Sequence, residues 1–74
     1  MPAPFSVRRE AGAYLVEGPG VERLIGSVNF GDEESMNWFH RTLRRLGVIE
    51  LLREAGAGQG DTVVMGGMEF DYVE

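Results

Sequence analysis

Seventy-four residues with twelve carboxylates, seven arginines, no lysine and no cysteine restrict what this chain can do. That length admits one domain, near the size at which a single core barely outweighs chain entropy. Without thiols it has neither disulfides nor thiolate metal sites to help, which suits a reducing interior. A formal net charge of −5 makes it a poor general ligand for phosphate backbones. The lack of lysine excludes a Schiff base and the G-x-x-x-x-G-K-[ST] phosphate loop, and the single histidine, His40, cannot hold a metal alone. No basic segment followed by an apolar run opens the chain. No apolar run approaches the roughly 20 residues that span a bilayer, so a soluble, untargeted, cytoplasmic protein without membrane contact is expected.

In chain order, Phe5 and Val7, then Tyr14 and Val16, alternate with polar neighbours around Arg9-Glu10-Ala11-Gly12, which predicts two antiparallel strands joined by a tight loop. Arg8 and Arg9 are expected at a solvated edge or in the turn. Gly18-Pro19-Gly20 breaks the strand. Val21, Leu24, Ile25 and Val28 follow at helical spacing, with Glu22 and Arg23 on the polar face and Pro19 suited to a first helical turn.

The main helix follows over residues 31–46, where Met36, Phe39, Leu43 and Leu46 recur on one face. Asp32, Glu33 and Glu34 crowd its first turn and Arg41, Arg44 and Arg45 its last, so charge opposes the backbone macrodipole at both ends. Gly31 or Asp32 can serve as its cap, and Gly47 stops it by taking a left-handed conformation. A third helix is predicted over residues 48–55, with Val48, Leu51, Leu52 and Ala55 inward. The glycine-rich run that follows, residues 56–61, has no helix after it to offer an anion its N-terminus. It is therefore expected as a helix-to-strand connection in which Asp61 caps or turns the chain.

The chain closes in a hairpin, residues 62–65 and 68–73 flanking the Gly66-Gly67 turn. With Met65 opposite Met68, Val63 falls opposite Phe70 and Tyr72 continues the same face, so Met65, Met68 and Phe70 are expected in the core. The order is β-β-α-α-α-β-β, an α+β domain. Its two hairpins most simply form one four-stranded antiparallel sheet with the helices on one face, in a strand order that the residues leave open.

Four islands now stand in sequence: Tyr14-Leu15-Val16-Glu17-Gly18, Val21-Glu22-Arg23-Leu24, Phe39 through Leu43-Arg44-Arg45-Leu46-Gly47-Val48, and Gly60-Asp61-Thr62-Val63 leading to Glu69-Phe70-Asp71-Tyr72. Together they resemble the C-terminal domain of the Obg (CgtA) family of bacterial GTPases, over residues 5–74. The resemblance implies an appendage that follows a glycine-rich N-terminal domain and a GTPase domain, and that many family members lack or replace with an acidic tail. It implies association of the parent with the large ribosomal subunit during assembly and a link to the guanosine tetraphosphate stress response, the stringent response. GTP and Mg are implied for the parent's GTPase domain and no cofactor for this one. The GTPase motifs have no counterpart here, so this fragment is not expected to be an enzyme. Residues 1–4 then read as an extraneous start or the end of an interdomain linker. The family commonly offers Ser or Asn as cap where this chain has Gly31, a substitution that costs only a few tenths of a kcal/mol.

Trp38 lies more than a quarter-turn from the centre of the apolar stripe, at about 100° per residue, on a side shared with Glu34, Arg41 and Arg45. Tryptophan with arginine is typical of binding interfaces. The competing reading tucks Trp38 beneath the sheet or a neighbouring helix with Arg41 stacked on its ring, and the usual burial of tryptophan favours it. As an interaction patch, Glu34, Trp38, Arg41 and Arg45 would dock on the parent's GTPase domain or the large ribosomal subunit. A ribosomal-RNA-binding module using Arg8, Arg9, Arg23, Arg41, Arg44 and Arg45 is the alternative, disfavoured by the acidic balance. Glu22 and Arg23 match the family's Glu-Arg pair and read as helix-surface residues. His40 is expected on the exposed flank of the main helix, with no catalytic partner beside it.

Overall fold

The computed structural model describes residues 5–74, so the expected linker at residues 1–4 lies outside the described residues. It contains β1 (Ser6–Glu10), β2 (Ala13–Glu17), α1 (Val21–Gly26), α2 (Glu33–Arg45), α3 (Val48–Glu54), β3 (Thr62–Met65) and β4 (Met68–Asp71). The strands form one sheet in the order β1-β2-β3-β4. The α+β element order is the expected one; the sheet is mixed rather than wholly antiparallel.

Both hairpins form as their sequences direct. The first turns on Ala11 and Gly12 alone, at φ 52° and 80°, the left-handed pair that matches strand twist. Arg9 and Glu10, expected in the loop, instead continue β1 opposite Tyr14 and Ala13. The second pairs Met65 with Met68 and Val63 with Phe70, the register its alternation predicts.

The join between the hairpins departs from the expected antiparallel one. β2 and β3 run parallel, Tyr14 beside Val63, Leu15 beside Val64 and Val16 beside Met65. Alternation is satisfied by either direction. What permits the parallel one is the long helical segment between them, since a parallel crossover needs only a dozen or more residues, usually as helix. α2, with 13 residues, extends about 20 Å at 1.5 Å per residue and is long enough to carry the chain back along the sheet.

One face of this sheet meets the helices. Val16, Val63 and Met65 are wholly or almost wholly buried, together with Phe39 and Leu43 of α2 and Val48 and Leu52 of α3. Full burial of side chains of this size contributes about 1.5–3 kcal/mol each. Phe39 is the hub, its ring edge-on to Phe30 at 5.6 Å and to Phe70 at 5.0 Å between centroids.

Several apolar residues fall elsewhere than their periodicity places them. Leu46 caps α2 at φ −79°, past its last full turn, and is exposed, because the chain leaves the helix there and Gly47, at φ 83°, redirects it into α3. Ala55 is likewise a cap and exposed, and Ala57 takes the buried position. Met68 opens the edge strand β4 and is exposed where core was expected. α1 stops at Gly26 rather than reaching Val28, the Ser27 hydroxyl donating back to the Arg23 carbonyl at 2.9 Å.

The β3–β4 turn supports α1. A Cβ built on Gly66 would lie 2.9 Å from Ile25 Cγ1 and 3.3 Å from Val21 Cγ1, whereas one on Gly67 would meet nothing within 4 Å. Both residues have positive φ. Gly67→Ala should therefore cost about 1 kcal/mol for its left-handed backbone, and Gly66→Ala roughly 1–3 kcal/mol more, since Ile25 must move. Urea unfolding of the two variants checks the order; equal losses would show that α1 does not rest on this turn.

Candidate interaction surface

The start of α2 is held by interlocking short side chains. Asp32 Oδ2 accepts from the Ser35 amide at 2.8 Å, Ser35 Oγ accepts from the Asn29 amide at 2.9 Å, and Asn29 Oδ1 accepts from the Gly31 amide at 3.0 Å. Asp32 is thus the cap, and Gly31 does not weaken it. The C-terminal end is fixed by the Leu46 amide donating to the Thr42 carbonyl at 2.9 Å and the Gly47 amide to Arg44 at 3.1 Å. Between these anchors α2 runs as one continuous helix over Glu33–Arg45.

Trp38 stands on the outer face of this helix, 39% exposed, so it is not tucked beneath the sheet. Glu34, Arg41 and Arg45 are exposed beside it, at spacings of four, three and four residues that keep them on one stripe. Thr42, next on the inward side, is buried and donates from Oγ1 to the Trp38 carbonyl at 2.8 Å. Among the described residues no guanidinium stacks on Trp38, the one such contact being Arg9 over Tyr14 at 5.7 Å. The ion pairs lie elsewhere too: Arg8 with Glu10 and Glu17 at 3.2 and 3.6 Å, and Arg53 with Glu50. Arg41, Arg44 and Arg45 therefore end α2 with no carboxylate within 4.0 Å among the described residues. Leu46, 42% exposed, lies two turns beyond Trp38 and adds apolar area that periodicity alone had assigned to the core. Its place after the last basic turn and before a helix-stopping glycine was the signal.

His40 is half-buried rather than exposed. Its ring packs 6.2 Å from that of Phe70 and 5.8 Å from that of Phe39, and its Nδ1 is buried without a hydrogen-bond partner among the described residues. Burial first, and the Arg44 charge second, hold its pKa below the ordinary 6.5. The glycine-rich segment is the expected connection: the Gly58 amide donates to Asp61 Oδ2 at 2.8 Å and the Gly60 amide to the Tyr72 carbonyl at 3.0 Å, so neither amide is free to cradle phosphate. Glu22 and Arg23 are exposed on α1.

Away from α2, an open cleft of about 360 Å³ lies between the end of β2, the start of α1 and the β3–β4 turn. None of Glu34, Trp38, Arg41 or Arg45 lines it. Among the described residues no group of three or more His, Asp or Glu side chains is arranged to hold a metal ion, and no helix is long and apolar enough to cross a membrane.

The well-anchored helix α2 thus presents an aromatic residue amid arginines on a small α+β scaffold, a combination of residue types enriched at binding interfaces. A family model described as "Domain of unknown function (DUF1967)" matches residues 5–72, and the chain belongs to that family, the C-terminal domain of Obg GTPases. It is 46% identical over 69 residues to GTPase Obg of Acetivibrio thermocellus, covering 93% of this chain and 16% of that protein. Against GTPase Obg of Alkaliphilus oremlandii it is 50% identical over 68 residues, covering 92% and 16%. Against that of Finegoldia magna it is 47% identical over 70 residues, covering 95% and 17%. The chain thus spans about one-sixth of the length of the curated relatives it matches.

A lowered His40 pKa means that the unfolded chain binds the proton more tightly than the folded one, so stability is fully present above the ordinary value of 6.5 and falls as pH drops below it. Urea unfolding between about pH 7.5 and about pH 5.5, a window that brackets the ordinary imidazole value, should show that fall, and His40→Phe should flatten it. Arg44→Gln should raise the His40 pKa in an NMR titration. An unchanged pKa in that variant would remove Arg44 as a cause.

Proposed function

We propose that residues 5–74 form a non-catalytic regulatory and interaction module at the C-terminus of an Obg-type GTP-binding protein. The module acts in the cytoplasm by docking α2 on the parent's GTPase domain or on the large ribosomal subunit, within subunit assembly and the stress response. GTP and Mg belong to the GTPase domain of that parent.

The observation that carries this reading is the exposure of Trp38 beside Arg41 and Arg45, which no carboxylate of the described residues neutralises. A large aromatic side chain and planar guanidinia desolvate well and dominate interface energetics. Glu34 at the acidic end of the stripe supplies polarity, so a partner presenting acidic groups opposite Arg41 and Arg45 and a basic one opposite Glu34 docks in a single register. Replacing Trp38 and Arg45 together by alanine should weaken binding to the isolated GTPase domain or to large subunits roughly tenfold or more and leave the circular-dichroism melt within a few degrees of wild type. Unfolding of the variant would place Trp38 among the core supports and end the proposal.

The unpaired guanidinia of Arg41, Arg44 and Arg45 favour one second reading, contact with ribosomal RNA. Phosphate contacts by three arginines would give a log–log salt slope of about −2 to −3 in a polarisation titration. A salt-independent affinity would exclude counterion release as the driving force.

A further inference from the structure

We propose that the uncovered face of the sheet is a second docking surface, separate from α2, and that its occupant is a lysine- and arginine-rich segment of a protein. The centre of the sheet is the parallel β2–β3 pair, and parallel strands are ordinarily covered on both faces. Here the helices take one face. On the other, Leu15 and Val64 sit side by side in register, only partly buried and outside the group of apolar residues that packs on the core.

The flanks of this apolar pair determine the occupant. Strand alternation puts Glu10 and Glu17 on one side and Glu69 and Asp71 on the other, all exposed. The sole guanidinium on the face, Arg8, is already held at 3.2 Å by Glu10 and at 3.6 Å by Glu17. Four carboxylates against one neutralised guanidinium repel polyphosphate and attract cations, which selects a basic protein segment over nucleic acid. At the end of β2 the face runs into the cleft of about 360 Å³ lined by Leu15, Glu17, Val21 and Glu22. An arginine or lysine can lay its aliphatic stem along Leu15 and Val21 there while its head group reaches Glu17 and Glu22. This surface has the opposite sign to the arginine-rich end of α2 and does not depend on the function proposed for it.

The probe is a fluorescein-labelled peptide in which arginine and valine alternate, titrated against the chain at low salt with polarisation as the readout and ¹⁵N amide shifts as the map. Binding should perturb the amides of residues 13–17 and 62–71. The pair Glu69→Gln and Asp71→Asn should weaken it about tenfold, while the pair Glu33→Gln and Glu54→Gln, which removes the same charge from the helices, should change it less than about twofold. Leu15→Ser, with its melt checked, should also weaken binding. Equal losses in the two charge pairs, shifts centred on α2 or α3, absence of binding, or displacement of the peptide by a uridine oligonucleotide from this face would each overturn the proposal.

Discussion

The parallel pairing of β2 with β3 is the constraint from which the rest of the architecture follows. Two adjacent strands that run the same way cannot be joined by a turn, so residues 18–61 must return the chain to the end of the sheet where β2 began. α2 supplies that return, and Phe39 wedges it against Phe30 and Phe70. Because a connection of this kind lies on one face, the core forms there and the opposite face stays bare. The outer side of α2 is left exposed too, since no other element of the described residues covers it.

Charge sorts itself along these two exposed surfaces by local rules. Helix electrostatics favour acids at the start of α2 and arginines at its end, which leaves Arg41 and Arg45 beside Trp38 and Arg44 beside His40. Strand alternation sends Glu10, Glu17, Glu69 and Asp71 to the side of the sheet away from the core. A chain of net charge −5 is thereby divided into a basic end of one helix and an acidic sheet face. Net charge alone describes neither, and the domain presents two surfaces of opposite charge.

Much of this was legible residue by residue. The α2 stripe of Met36, Phe39 and Leu43, the stop at Gly47, the acid-to-base gradient and the register at Gly66-Gly67 each depend on neighbours a few positions away, where periodicity and turn chemistry are decisive. The misplacements share a cause. Leu46 and Ala55 continue a helical pattern one step past the point where the helix ends, so they lose the face that the pattern assigns them. His40 lies on the flank of α2 by angle, yet Phe70 arrives from β4 to cover it. For Trp38 the angle off the stripe was informative, but the identity of tryptophan pointed the other way.

By itself, the amino-acid sequence determined the element order, the Gly66-Gly67 turn with its register, the stop of the main helix at Gly47 and the family, because all of these are written in residues and spacings along the chain. Only the tertiary structure decided that β2 and β3 are parallel and adjacent, that His40 is covered and that Trp38 and Leu46 are not. Those outcomes depend on which distant segments meet. Alternating strands pack equally well in either direction, and a residue at the margin of a helical stripe is buried or exposed according to the neighbour that reaches it.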